Sequence, residues 1–161
     1  MSEGLPTSTE QPRWLSPDEL ATWRRFTFLM YRLPTALEAQ LRQDSQLSFV
    51  EYYALAALSE QPGHRMRMGD LAVLANSELS RLSHLISRLE KRGFVRREPD
   101  PTNGRCIHAV LTDAGHAHLV EAAPGHVAEV RKLVYDVLDP NELDGLRTAA
   151  EKIIDCIDSR Q

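Results

Sequence analysis

"KRGFVRREPDPTNGRCIHAVLT" runs from Lys91 to Thr112, and its reading decides the fold. Its first fifteen residues carry five positive charges: Lys91, Arg92, Arg96, Arg97 and Arg105. Residues 94–98 and 106–111 have the composition and alternation of strands. Asn103-Gly104 between them is a hairpin-turn dipeptide, because both residues tolerate positive φ. Gly93 stands where a preceding helix would need a left-handed residue to stop. A charged hairpin is also how an edge strand is protected from pairing with other chains, so its meaning depends on the segment before it.

That segment, residues 77–92, reads as an amphipathic helix. On a helical wheel Leu79, Leu82, Leu85, Ile86 and Leu89 fall on one side. Ser77, Ser80, His84, Ser87, Arg88 and Lys91 fall on the other, with Arg81 at its shoulder. "MGDLAVLA" before it is a short helix, and "LSFVEYYALAALSEQPG" is a longer one, capped by Ser48 and stopped at Pro62-Gly63. The order helix, short helix, helix, hairpin is that of a winged helix-turn-helix, over residues 47–111. A polar helix face alone is commonly just solvated. Followed at once by a basic hairpin, it points to DNA. An α-helix fits the major groove, serine bonds several bases, and arginine prefers the O6 and N7 of guanine. A wing arginine fits the adjacent minor groove. Glu78 is out of place in such a face: its carboxylate repels phosphate unless it accepts from cytosine N4 or caps the helix.

The flanks are helical. "SPDE" supplies Ser16 as cap, Pro17 at the first helical position and Glu19 three residues after the cap. Apolar residues recur from Leu20 to Leu41, Pro34 is expected to kink this helix, and residues 42–46 read as a polar break. Thr112 caps a fifth helix, expected to be interrupted at Pro124-Gly125. A sixth starts at "DPNE" and carries Leu143, Leu146, Ala150, Ile153, Ile154 and Ile157 on one side. Little in the chain is left to cover that side, which points to a dimer. The expected fold is mainly α with a small β-hairpin wing: a winged helix-turn-helix flanked by long dimerisation helices. Residues 1–13 read as a disordered tail and 14–161 as one domain, with 14–46 and 112–161 forming the dimerisation region.

Composition narrows the class. The 161 residues are 42% hydrophobic and 26% charged, as in an ordinary soluble domain. No apolar run can span a membrane and the N-terminus has no secretory h-region, so a cytoplasmic protein is expected. The net charge of −4 argues against nucleic acid, but its distribution argues for it. Residues 64–105 hold nine Lys/Arg against five Asp/Glu, a net +4, and the remainder carries −8. Positive charge is gathered in one central segment.

Other chemistries find little support. Cys106 and Cys156 have neither metal nor disulfide spacing and read as small buried hydrophobes. His116 and His118 are two apart on a helix and diverge, so no internal metal site is expected. No Gly-rich cofactor loop, Walker pattern or Ser/His/Asp set is present, so neither an enzyme nor a cofactor is expected. The remaining rival is a winged-helix module that binds only protein, which predicts no salt-sensitive DNA affinity.

The stretch "LSRLSHLISRLEKRGFVRREPDPTNGRCIHAVLTDAG" is similar to the signature of the MarR (multiple antibiotic resistance regulator) family of transcription factors. The matching features are Leu89-Glu90-Lys91-Arg92-Gly93, the Arg-rich strand, Asp100-Pro101, Arg105 and Leu111-Thr112-x-x-Gly115. The resemblance implies a homodimer that binds pseudo-palindromic promoter DNA, most simply as a repressor. It implies Ser77, Ser80, Arg81 and His84 in the major groove, with Ser87, Arg88 and Lys91 further along the helix. Arg105 would be the wing-tip arginine, with Arg96, Arg97 and Asn103 in the same wing. Asn103 departs from the family, which usually has Asp there. Many members release DNA when a small phenolic or anionic effector binds, and by analogy Trp23, Met30, Tyr31, Tyr52 and Tyr53 would line its crevice. Aromatics at these spacings are also ordinary core.

Overall fold

The computed structural model of the chain describes residues 12–100 and 102–160. Residues 1–11 of the expected tail and Pro101 of the wing lie outside the described residues. Helix α1 spans Pro17–Ser45 and opens as its sequence dictates: Glu19 N donates to Ser16 Oγ and Ser16 N to Glu19 Oε2. It runs through Pro34 and through the expected polar break, ending where Gln46 turns left-handed at φ 57°. The chain divides at Pro34 into two compact units, 1–33 and 34–161. In the first, Trp23, Phe26, Phe28, Leu29, Met30 and Tyr31 are all exposed.

The second unit begins with the buried Leu37 and Leu41 of α1. Helix α2 (Phe49–Ser59) has a full capping box, with Ser48 and Glu51 bonding each other's backbone N–H. A short 3₁₀ turn, Pro62–His64, leads into strand β1 (Arg65–Arg67) and helix α3 (Met68–Leu74). Helix α4 covers Leu79–Lys91, strand β2 Val95–Pro99 and strand β3 Ile107–Leu111. The sheet therefore has three antiparallel strands in the order β1-β3-β2, not the two of the expected hairpin. Arg65 pairs with Val110 and Arg67 with His108, so β1 covers the free edge of β3.

The core lies between these helices and the sheet. Leu47, Leu55, Leu58, Leu71, Leu82, Ile86, Leu89, Val95, Ala109 and Leu111 are buried together. Burying each large aliphatic side chain contributes about 1.5–3 kcal/mol. The expected apolar face of α4 holds except at Leu79, which is 55% exposed. Leu79 is the first helical residue and lies one turn beyond the reach of the core.

Helix α5 (Asp113–Val130) is capped by Thr112, whose Oγ1 accepts from Gly115 N at 3.0 Å. It is not interrupted at Pro124-Gly125. Pro124 and Val120, whose carbonyl loses its helical partner, are both exposed. The helix instead passes into a π-turn at Arg131–Tyr135. Helix α6 (Pro140–Asp158) starts with a capping box between Asp139 and Glu142. None of its residues is buried, and Leu146, Ile153, Ile154 and Ile157 stand open. The cysteines are not buried hydrophobes: Cys106 is half-buried and Cys156 exposed.

Candidate nucleic-acid interface

The turn between α3 and α4 is built by Asn76, held left-handed at φ 44°. Ser77 N donates to Ala72 O at 2.9 Å and Asn76 N to Val73 O at 3.0 Å, which closes α3. The next residue, Glu78, is the extended N-cap of α4, but its side chain makes no capping bond. At the other end Gly93, at φ 76°, closes α4 the same way: Phe94 N donates to Leu89 O at 3.0 Å and Gly93 N to Glu90 O at 2.9 Å. Both ends of α4 are thus fixed by backbone bonds.

Between them lies the outer face of α4. Ser80, Arg81, His84, Arg88 and Lys91 are exposed, while Ser77 and Ser87 are half-buried. Ser77, Arg81, His84 and Arg88 share one shallow cavity of about 350 Å³ with Ser48 and Val50. Arg88 is partly committed: its Nε donates to Glu51 Oε1 at 3.1 Å. Burial alone would raise the Glu51 carboxyl, but the Ser48 backbone N–H and the Arg88 guanidinium hold it below its usual value.

The wing is tied down at two points. On β2, Arg97 turns back onto α4: it pairs with Glu90 and donates to Ser83 O at 2.7 Å, Ser83 Oγ at 3.2 Å and Ser87 Oγ at 3.1 Å. Its guanidinium and the Ser87 hydroxyl are therefore used inside the lobe. At the far end of β2, the buried carboxylate of Asp100 gathers the loop. It accepts from Thr102 Oγ1 at 2.6 Å, Thr102 N at 2.8 Å, Asn103 N at 3.2 Å and the Arg67 guanidinium at 3.1 Å. These bonds, the Thr102 hydroxyl foremost, hold the Asp100 carboxyl far below the usual carboxylate range.

The tip differs from the expected turn, since neither Asn103 nor Gly104 has positive φ. Cys106 N donates to Asn103 O at 2.8 Å, and Asn103 Oδ1 accepts from Arg105 N at 3.2 Å, so Asn103 organises the turn through its side chain. The exposed Arg105 side chain has no hydrogen-bond or ion-pair partner among the described residues. Arg96 is exposed but paired with Glu98 at 2.6 Å.

Sequence reasoning missed Arg67 and Asp100 as wing anchors. The "DPTN" run carried a signal for the second, since Asp before Thr and Asn favours a side-chain-bonded turn. It also missed Arg92, which donates to Gln46 O at 2.9 Å and stacks on Phe94 at 4.7 Å. His118 lies against the same ring at 4.5 Å, and its Nε2 is 2.9 Å from Ser45 O. Arg92 and His118 thus fasten the end of α1 to α4 and α5.

Of the aromatic set, Trp23, Met30 and Tyr31 lie in the first unit and are exposed. Tyr52 and Tyr53, in the second, line a cavity of about 410 Å³ with His126, Arg131 and Tyr135. Burial pushes the Tyr52 hydroxyl pKa up and the His126 imidazole pKa down.

The MarR family profile matches residues 45–105, from the end of α1 to the wing tip. Sco3205, a MarR family regulator of Streptomyces coelicolor solved in complex with DNA, superposes with a TM-score of 0.86 at 40% identity, over 89% of this chain and 90% of that one. The chain belongs to the MarR family. AbsC, a MarR family regulator of the same organism, gives a TM-score of 0.87 at 38% identity over 92% of this chain and 99% of its own. The transcriptional repressor MprA of Escherichia coli is 27% identical over 110 residues, 68% of this chain. The match spans 62% of the length of MprA.

Proposed function

We propose that this MarR family chain is a homodimeric transcriptional repressor in the cytoplasm, which binds a pseudo-palindromic promoter site and is released by a small effector. The observation that carries it is one surface: the exposed Ser80, Arg81, His84 and Lys91 of α4, beside a wing whose Arg105 is unpaired among the described residues. In this reading Ser77, Ser80, Arg81 and His84 face base edges, Arg88 and Lys91 face phosphates, and Arg105 enters the minor groove. Arg96 and Asn103 support the wing contact. Arg97 and Ser87 act by holding the wing against α4. The complex of Sco3205 with DNA supports the DNA reading, and the repressor role of MprA supports repression. The open apolar side of α6 supports a second copy of the chain as its cover.

The effector reading rests on the cavity under Tyr52 and Tyr53, where phenol hydroxyls and the Arg131 guanidinium suit a phenolic or anionic molecule. Trp23, Met30 and Tyr31, the other members of the expected aromatic set, belong to the first unit and do not line this cavity.

Selection of bound DNA from a random duplex library, at about 0.15 M salt where nonspecific binding is weak, tests the proposal. The expected product is an inverted repeat with half-sites about 34 Å apart, one helical turn. Enrichment of no sequence, with no salt-sensitive affinity, would overturn it.

A further inference from the structure

We propose that Glu78 is a specificity-determining residue, which acts with Arg81 to select one G·C base pair in each half-site. This rests on the reading of α4 as the helix that enters the major groove. Three glutamates at helix starts in this chain close caps: Glu19, Glu51 and Glu142 complete boxes with Ser16, Ser48 and Asp139. Glu78 occupies the N-cap position of α4, with φ −62° and ψ 144°, yet its carboxylate bonds no backbone N–H there. It is 77% exposed, and its nearest charged partner is Arg81 Nε at 4.0 Å, itself 80% exposed.

An exposed pair at that separation contributes little to stability, so folding does not account for the carboxylate. Binding a polyanion makes it costly unless it meets a donor. Of the atoms in the major groove, only adenine N6 and cytosine N4 donate. Across a G·C pair the groove presents, in order, the N7 and O6 acceptors of guanine and the N4 donor of cytosine. A guanidinium beside a carboxylate offers donor, donor, acceptor, which is the complement of that order. An A·T pair presents acceptor, donor, acceptor and then the thymine methyl, so it offers the guanidinium no two adjacent acceptors beside a donor for the carboxylate. The backbone is ready for such a role. The bonds of Asn76 and Ser77 to the end of α3 fix where Glu78 starts, and α4 fixes Arg81 one turn later.

The test compares the full-length wild type with Glu78→Ala, Glu78→Gln and Arg81→Ala in library selection, followed by competition with all four base pairs at each half-site position. The wild type is expected to enrich one G·C pair. Glu78→Ala should lower the preference for that pair about tenfold and leave the other positions alone. It should also bind nonspecific duplex more tightly, because a negative charge has left the interface. Glu78→Gln should move the preference toward A·T, since an amide bonds adenine N6 and N7. Unchanged preferences in Glu78→Ala would overturn the proposal. If Arg81→Ala then shifts a preference, only the role of Glu78 falls. If neither variant shifts any, the reading of α4 falls with it. The unfolding midpoint should not move in either Glu78 variant, which separates specificity from folding.

Discussion

Gly115, in the first turn of α5, packs directly on the carbonyl of Phe94. A Cβ on Gly115 would stand 2.1 Å from Phe94 O and 2.8 Å from Leu111 Cδ1. The same carbonyl accepts from Thr112 N at 3.0 Å, and Thr112 Oγ1 donates to Gly93 O at 2.6 Å. This is the physical content of the Leu111-Thr112-x-x-Gly115 motif: the end of β3, the start of α5 and the exit from α4 meet at one point. Gly115→Ala should therefore destabilise the fold by about 1–3 kcal/mol or more, because the obstacle is backbone and cannot rotate away. Urea denaturation checks this, and a variant as stable as the wild type would contradict the packing.

The contacts of Arg97 predict a second outcome. Arg97→Ala leaves Glu90 and two serines without their shared donor, at a cost of about 1–3 kcal/mol in stability. DNA affinity should fall with it, while base preferences stay as they were, because the wing and not the reading face is loosened. Arg97→Lys should restore little, since an ammonium cannot reproduce the planar fork that spans Glu90 and the serines. Denaturation and selection on the same variants decide it, and altered base preference would move Arg97 into the reading set.

Arg105→Ala addresses the wing tip. Binding should weaken on all sequences, and the slope of log affinity against log salt should drop by about one unit. Titrations at several salt concentrations measure this. An unchanged slope and affinity would remove the wing from the interface.

The Glu51 carboxyl supplies a prediction in pH. Its pKa in the folded chain lies below the ordinary value of 4.5, so the ionised form stabilises the fold. That contribution is complete above the unfolded pKa and is lost as pH falls through the lower, folded one. Stability measured between about pH 6 and pH 3 should show a loss that Glu51→Gln reduces. Arg88→Ala should move the loss to higher pH, because one of the groups holding the carboxylate has gone.

Helix starts were legible because a cap is local. Ser16, Ser48, Thr112 and Asp139 each find their partner within three residues, and each does what its residue type predicts. The face of α4 was legible for the same reason, except at Leu79, where periodicity cannot tell how far a core extends. Strand β1 was not legible. Its sequence, Arg65-Met66-Arg67, has no strand pattern, and it exists because β3, over forty residues on, offers an edge. The division of labour among the arginines was equally hidden. Nothing local separates Arg97, spent on Glu90, from Arg105, whose side chain has no partner among the described residues, since the partners of Arg97 lie on another element.

A helix that buries none of its own residues ties folding to mass action. Because α6 keeps Leu146, Ile153, Ile154 and Ile157 open within its own chain, the second copy proposed above would supply much of its stabilisation. Folding free energy would then grow as RT ln of the partner concentration, and the midpoint of thermal unfolding would rise with it. Occupancy of the proposed promoter site would inherit the same dependence: a cell that makes less of this chain would have fewer copies and a smaller folded share of them.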